Sequence, residues 1–331
     1  MNTVFTVIGI LAGVLALFVA VLALFTWWTA RKVESVLPSK GRFIDVPGAR
    51  LHIREFGEAN TARPAILMIH GLAGQLSHYT YGVAGRLAER HRVIVVDRPG
   101  SGYSTRAAEA SADLSAQAAA MAALVRTLGL GPAFVVGHSL GGAVALSMAL
   151  EHPQQVAGLA LLAPLTHMRE DVPPVFEGLT IASPLARKLV AWTLAIPASI
   201  RKSAATLEAV FGPEAVPKDF ATRGGGLLSL RPSAFLSASA DLQALPDRLP
   251  LVQARYHELR LPVSVLYGKD DRILDWKTNG QGLVDKVPGA RLELVEGGHM
   301  LPITQVDVTA GFIEAALQGL AAASTKGAVA G

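Results

Sequence analysis

Hydrophobic residues fall into three kinds of pattern along this chain. Val4–Trp28 is an almost unbroken apolar run closed by Trp27 and Trp28. As a helix it spans about 37 Å, enough to cross a hydrocarbon core of about 30 Å with some tilt. From about Gly41 the runs become short and alternate in kind. Arg42–Val46 and Ala49–Phe56 predict two strands joined at Pro47-Gly48 as an antiparallel hairpin. Pro64–His70, Arg92–Val96, a run entered at Phe134, and Val156–Ala163 predict buried strands. Helical patterns lie between them: one to about His91, one over Ser111–Leu128, one to about His152. Strands alternating with helices imply a mostly parallel sheet with helices on both faces, an α/β fold.

The alternation stops at Pro164. Up to about Leu259 the chain is apolar, basic and proline-rich, with helical stretches and no clear strand. This predicts a helical cap inserted into the sheet domain. Pro262–Gly268 resumes the strand pattern, followed by a short helix at Asn279–Val287, a last strand at Ala290–Val295 and a closing helix at Asp307–Leu320. The expected layout is a membrane anchor at 1–32, a linker at 33–40, the sheet domain at 41–164 and 260–320, the cap at 165–259, and a disordered tail of small residues at 321–331.

Composition narrows this picture. The chain has 331 residues, a net charge of +4 and no cysteine. Disulfides, thiolate catalysis and cysteine metal sites are excluded. No Lys/Arg run interleaved with aromatics appears, which argues against nucleic acid as a partner. No Lys or Arg precedes the first apolar run, and the run is long for a signal peptide, so an uncleaved anchor in membrane lipid is expected. Arg31, Lys32, Lys40 and Arg42 follow it, which by the positive-inside rule sets the main domain in the cytoplasm. Long domains can cross regardless of charge, so the extracytoplasmic side is the alternative.

The chemistry centres on Gly137-His138-Ser139-Leu140-Gly141-Gly142, between a predicted strand and a predicted helix. G-x-S-x-G in that setting is a nucleophile elbow, a sharp turn that pushes the serine out. The following helix aims its N-terminal N–H groups at the serine oxygen. A neutral serine needs a base, which histidine supplies near neutral pH, and the histidine needs an acid to hold its tautomer. Beyond the carboxyl ends of the strands, where open α/β sheets bind ligands, stand His70-Gly71-Leu72, Asp97–Ser104, Ser139, Asp271 and His299. The order Ser139…Asp271…His299 is that of an α/β sheet triad. Asp270 and Asp271 compete for the acid, and the Gly268-x-x-Asp271 spacing favours Asp271.

These pieces resemble the α/β-hydrolase superfamily over about residues 41–320. The matching motifs are His70-Gly71, Asp97-x-x-Gly100-x-Gly102-x-Ser104, the Ser139 elbow, Gly268-x-x-Asp271 and Gly298-His299. The resemblance implies Ser139 as nucleophile, His299 as general base and Asp271 as its acid, with Leu72 and Leu140 supplying oxyanion-hole N–H groups. It implies an ester as small-molecule substrate and no cofactor; His152, His167 and His257 show no ligand spacing and no H-E-x-x-H appears, so no metal is expected. One position departs from the family pattern: Asp275 stands where proline is common after the acid. The anchor, the elbow and the cap are most similar to membrane-anchored lipases and monoacylglycerol-lipase-like carboxylesterases. An acyltransferase, a C–C bond hydrolase or a lyase on the same fold is the alternative, and a membrane-tethered binding protein without catalysis is another.

Other conspicuous residues carry plainer expectations. His138 is read as structural or pocket-lining, His70 as a turn residue bonded to backbone, and Asp97, Gly100, Gly102 and Ser104 as shaping a loop. Leu185–Lys202 is apolar and basic with no acid. It reads either as a cap helix burying its apolar face on the sheet domain or as a surface for anionic lipid. Pro197 is expected to break or kink a helix there.

Overall fold

The computed structural model describes residues 2–58, 63–169 and 171–329, with residue 2 and residues 321–329 as backbone only. The first apolar run forms helix α1 (Asn2–Val36), which continues through the first half of the expected linker. The continuation has a packing reason: Thr26, Thr29 and Val33 recur on one helical face and are buried.

Strands β1 (Arg42–Val46) and β2 (Ala49–Phe56) form the expected antiparallel hairpin. The sheet continues through β3 (Ile66–Ile69), β4 (Val93–Val96), the two-residue β5 (Thr105–Arg106), β6 (Ala133–His138), β7 (Val156–Leu162), β8 (Val263–Gly268) and β9 (Arg291–Val295). Its order is β1-β2-β4-β3-β6-β7-β8-β9, with β5 paired to β2. β2 meets β4 antiparallel, and every pair from β4 to β9 along that order is parallel. β3, β4 and β6 are buried along their whole length, the burial that continuous apolar runs require in a sheet covered on both faces.

On one face pack α4 (Leu114–Thr127) and α5 (Leu140–Glu151), with Met121, Leu124, Val144 and Leu146 in the core. α4 begins three residues later than its pattern predicts because Asp113 caps it, its carboxylate accepting from the Ala116 N–H at 2.8 Å. On the other face lie α2 (Ser77–Thr80), α3 (Val83–Ala88) and the closing helix, through Tyr79, Leu87, Ile313 and Leu317.

The cap is helical, as expected. It comprises a short turn at Pro174–Leu179, α6 (Pro184–Trp192), α7 (Ala195–Phe211), a turn at Gly226–Leu230 and α8 (Pro232–Ala254). The break between α6 and α7 falls at Thr193–Leu194, ahead of Pro197, which sits inside the first turn of α7. A proline there sacrifices no intrahelical bond, because the first N–H groups of a helix have no partner within it. After β8 come one wide turn (Lys277–Gln281) and α9 (Gly282–Val284), then α10 (Leu301–Thr304) and α11 (Val306–Val329). The tail expected to be disordered from 321 instead continues α11 as far as Val329. Ala321–Ala323 are the strongest helix formers, and no proline interrupts them. Residues 330 and 331 lie outside the described residues.

Candidate active site

The elbow forms where β6 turns into α5. Ser139 has φ 53° and ψ −120°, a conformation that side chains rarely adopt and that costs on the order of 1–3 kcal/mol. The neighbours hold it there. The Ser139 N–H donates to the Leu162 carbonyl at 3.0 Å, and its own carbonyl accepts from Gly142 and Leu165, both at 2.9 Å. The flanking glycines are steric requirements. A Cβ on Gly137 would sit 2.5 Å from the Gly141 carbonyl oxygen, and one on Gly141 would sit 2.1 Å from that of Ile69.

After β8 and β9 the sheet supplies an acid and a histidine. Asp271 Oδ2 lies 2.7 Å from His299 Nδ1, and both side chains are buried. The second oxygen, Oδ1, accepts from the N–H groups of Ile273 (2.8 Å) and Leu274 (3.0 Å), so the carboxylate cannot rotate freely. An ionised carboxylate only accepts, so Nδ1 carries the proton and a neutral His299 keeps Nε2 as a free base. Asp270 is exposed and its backbone N–H bonds to Gly297, so of the two candidate acids Asp271 is the one that meets His299.

His138 fixes the histidine from the other side. Its Nε2 lies 2.9 Å from the His299 carbonyl, which makes Nε2 the N–H donor, and the two rings stand 4.9 Å apart. His299 is thereby held beside the elbow. Burial pushes His138 well below the usual histidine range, with repulsion from His299 adding to it, so the ring stays neutral. His70 is also buried and pushed down. Its Nδ1 faces the Gly71 carbonyl at 2.8 Å, and its Nε2 accepts from the Arg98 N–H at 3.0 Å. Both histidines take the plainer roles expected of them.

Leu72 and Leu140 flank Ser139 along the cavity wall. Leu140 is the first residue of α5, where an N–H has no intrahelical acceptor. The orientation of Leu72 comes from a residue that the sequence did not single out. The Arg98 guanidinium is fully buried; its Nε donates to the His70 carbonyl and its Nη2 to the Gly71 carbonyl, both at 3.0 Å. In a trans peptide C=O and N–H point in opposite directions. Holding the Gly71 oxygen therefore turns the Leu72 N–H away from Arg98. The counter-charge to Arg98 lies on the cap: Nη1 donates to Asp241 of α8 at 2.6 Å and to Gln117 at 2.6 Å. Asp241 does not stand out in a helix that also carries Asp247 and Arg248, and its partner lies 143 residues away in sequence.

Asp97 organises the neighbouring loop. Its carboxylate accepts from the N–H groups of Leu76 (2.7 Å) and Tyr103 (2.9 Å) and meets His52 Nδ1 at 2.7 Å. A Cβ on Gly102 would overlap that carboxylate at 2.1 Å, which accounts for the glycine. Asp275, where the pattern departs from proline, caps the wide turn after it by accepting from the Thr278 N–H (2.9 Å) and Oγ1 (2.8 Å).

At Ser139 opens a cleft, lined chiefly by apolar side chains including Leu140, Leu165, Phe176, Leu242 and Ile273. Arg169 and Asp171 also border it. Among the described residues no three His, Asp or Glu side chains converge as metal ligands.

Comparison with known proteins places the fold. The family model described as alpha/beta hydrolase fold matches residues 64–306. An uncharacterized protein of Mycobacterium tuberculosis is 30% identical over 279 residues, covering 82% of this chain and 79% of its own. Among solved structures, a membrane phospholipase A superposes with a TM-score of 0.69 at 25% identity, covering 96% of this chain and 97% of that one. A carboxylesterase from Bacillus subtilis gives 0.63 at 18% identity over 90% and 98%.

Proposed function

This chain belongs to the alpha/beta-hydrolase fold family, and within it we propose a membrane-anchored serine hydrolase that cleaves carboxylic esters of lipid-like chain length. The observation that carries the reading is the 2.7 Å pairing of Asp271 with His299 beside a serine held at a strained elbow. Strain of that kind persists only where the surroundings enforce it, and it exposes the side chain that would react.

The proposed reaction has two halves. In the first, His299 Nε2 takes the proton of the Ser139 hydroxyl as Oγ attacks the ester carbonyl carbon. The carbonyl π bond becomes an oxyanion facing the Leu72 and Leu140 N–H groups. Collapse of the adduct breaks the bond to the alcohol oxygen, which leaves with the proton held by His299. The acyl group stays on Ser139. In the second half, water gives its proton to His299, attacks the acyl carbon, and Ser139 leaves with that proton. Asp271 stays ionised and stabilises the imidazolium formed in each half.

Lipid-like substrates are favoured by two features. The cavity wall is chiefly apolar, so it rewards each buried methylene with about 0.8 kcal/mol. The anchor α1 would hold the site where amphiphilic esters concentrate. Labelling the purified protein with a fluorophosphonate and mapping the adduct tests the reading: modification of Ser139 alone is expected, and an unlabelled Ser139 in folded protein contradicts it.

A further inference from the structure

α6 carries an amphipathic pattern turned outward. Leu185, Leu189 and Trp192 are spaced i, i+4, i+7 on one face and are 79%, 58% and 39% exposed, with Leu194 53% exposed just beyond. Ala191 and Thr193 face inward and are buried. Of the two readings open for this stretch, burial on the sheet domain is therefore not the one the apolar face takes. A contiguous apolar patch of this kind marks a surface that meets something apolar.

The neighbouring helix identifies what that is. α1 packs against α6 and against the turn Gly226–Leu230. Its covered residues Val19, Leu22, Thr26, Thr29 and Val33 form one stripe, half-buried from Val19 and fully buried at Thr26, Thr29 and Val33. Glu34 pairs with Arg231, and the Tyr103 hydroxyl donates to the Leu37 carbonyl, which ties the end of α1 to the domain. The stripe begins eight residues before Trp27, about 12 Å along the helix axis towards the membrane-embedded end. Trp27 and Trp28 are the interfacial pair of a membrane-spanning α1. Part of the folded domain thus reaches alongside α1 past the level at which the bilayer begins. α6, nine residues and about 13 Å long, packs on α1 and is apolar on its open side.

We propose that α6 and the start of α7 are a second membrane element, submerged in the headgroup–acyl boundary of an anionic leaflet beside α1. This rests on the reading of α1 as a membrane anchor. Lys188, Arg201 and Lys202 are exposed around the patch, and 184–202 holds no Asp or Glu. The charge therefore suits anionic lipid. Such seating fixes the rotation of the domain about α1, which a lone spanning helix leaves free. It also holds the cap against the lipid.

The cysteine-free chain allows a direct test. Leu189→Cys, Leu15→Cys and Glu293→Cys are each made in the full chain and labelled with a nitroxide. Each is reconstituted in vesicles of phosphatidylethanolamine and phosphatidylglycerol. Accessibility to oxygen and to a water-soluble nickel chelate then reports depth. Position 189 is expected to be oxygen-accessible and nickel-protected, as position 15 in α1 is, while position 293 on β9 remains nickel-accessible. Nickel access at 189 with protection at 15 overturns the second membrane element and leaves the anchor standing. Nickel access at both overturns the anchor and this inference with it.

Discussion

Arg98 and Leu72 are coupled through one peptide unit. The guanidinium holds its carbonyl end at Gly71, 3.0 Å away, and its N–H end belongs to Leu72. The same guanidinium is neutralised from the cap by Asp241 at 2.6 Å. Loop orientation and cap seating therefore share one buried cation.

Arg98→Lys keeps the charge but cannot serve both carbonyls and Asp241 in the same geometry. The expected result is a fall in kcat of up to about 10²-fold, the scale of one misplaced oxyanion donor, with KM little changed. Values are taken per active site after titration with a fluorophosphonate. A lowered melting temperature with kcat per site intact would show that Arg98 only seats the cap.

Asp271→Asn should cost about 10⁴-fold in kcat, because an amide presents the wrong hydrogen-bonding group to His299 Nδ1. Asp270→Asn, at an exposed position, should leave kcat nearly unchanged. Steady-state kinetics on a soluble ester for the two variants decides between the adjacent acids, and the reverse ranking would reassign the acid to Asp270.

The sheet was legible in the sequence because its strands are buried on both faces, so apolar runs such as Val93–Val96 stand out without any tertiary information. The elbow was legible because steric contact at Gly137 and Gly141 leaves no alternative to glycine. The Asp271–His299 pairing followed from strand order once both were set at strand ends. Arg98 was not legible: its role depends on Asp241, and that contact exists only when the cap is folded over the sheet. The outward face of α6 was undecidable from periodicity, which reports an apolar stripe and not which way it points. The α6–α7 break was misjudged because a proline both ends helices and begins them.

Stability should fall on acidification below neutrality. Burial pushes His78 down to about 4, and holds His70 and His138 well below the usual range. An unfolded histidine takes its proton near pH 6.5. Between about 6.5 and 4 the unfolded chain binds protons that the native protein refuses, so stability is full above that window and is lost as pH falls through it. His78 alone accounts for about 3 kcal/mol across the window. Chemical denaturation at pH 7 and 5 should show the loss, and His78→Gln should lessen it. Equal stability at both pH values would contradict the account.

Removing the N-terminal part of α1 should separate chemistry from delivery. Deleting residues 1–18 leaves the packed stripe from Val19 onward and should preserve kcat on a soluble short-chain ester. The same deletion should reduce turnover of long-chain ester embedded in vesicles. Deleting 1–32 also strips Thr26 and Thr29 from the domain surface, where they are buried, and should lower the melting temperature as well. Across a series of soluble esters KM should fall by about fourfold per added methylene until the cavity is filled. A preference for acetyl esters, with turnover of embedded ester unaffected by either deletion, would remove the lipid-like part of the reading.

The acyl-enzyme is the central claim, and peptide mass spectrometry tests it most directly. The protein is mixed with an excess of a slowly deacylating ester, quenched in acid within the first turnover, and digested. The account predicts a mass increase equal to one acyl group, carried by the peptide containing Ser139. The adduct should be absent from Ser139→Ala, whose kcat should drop by about 10⁶-fold. Turnover of the ester by Ser139→Ala at a rate near that of the native protein, or an acyl group found on any other residue, would contradict it.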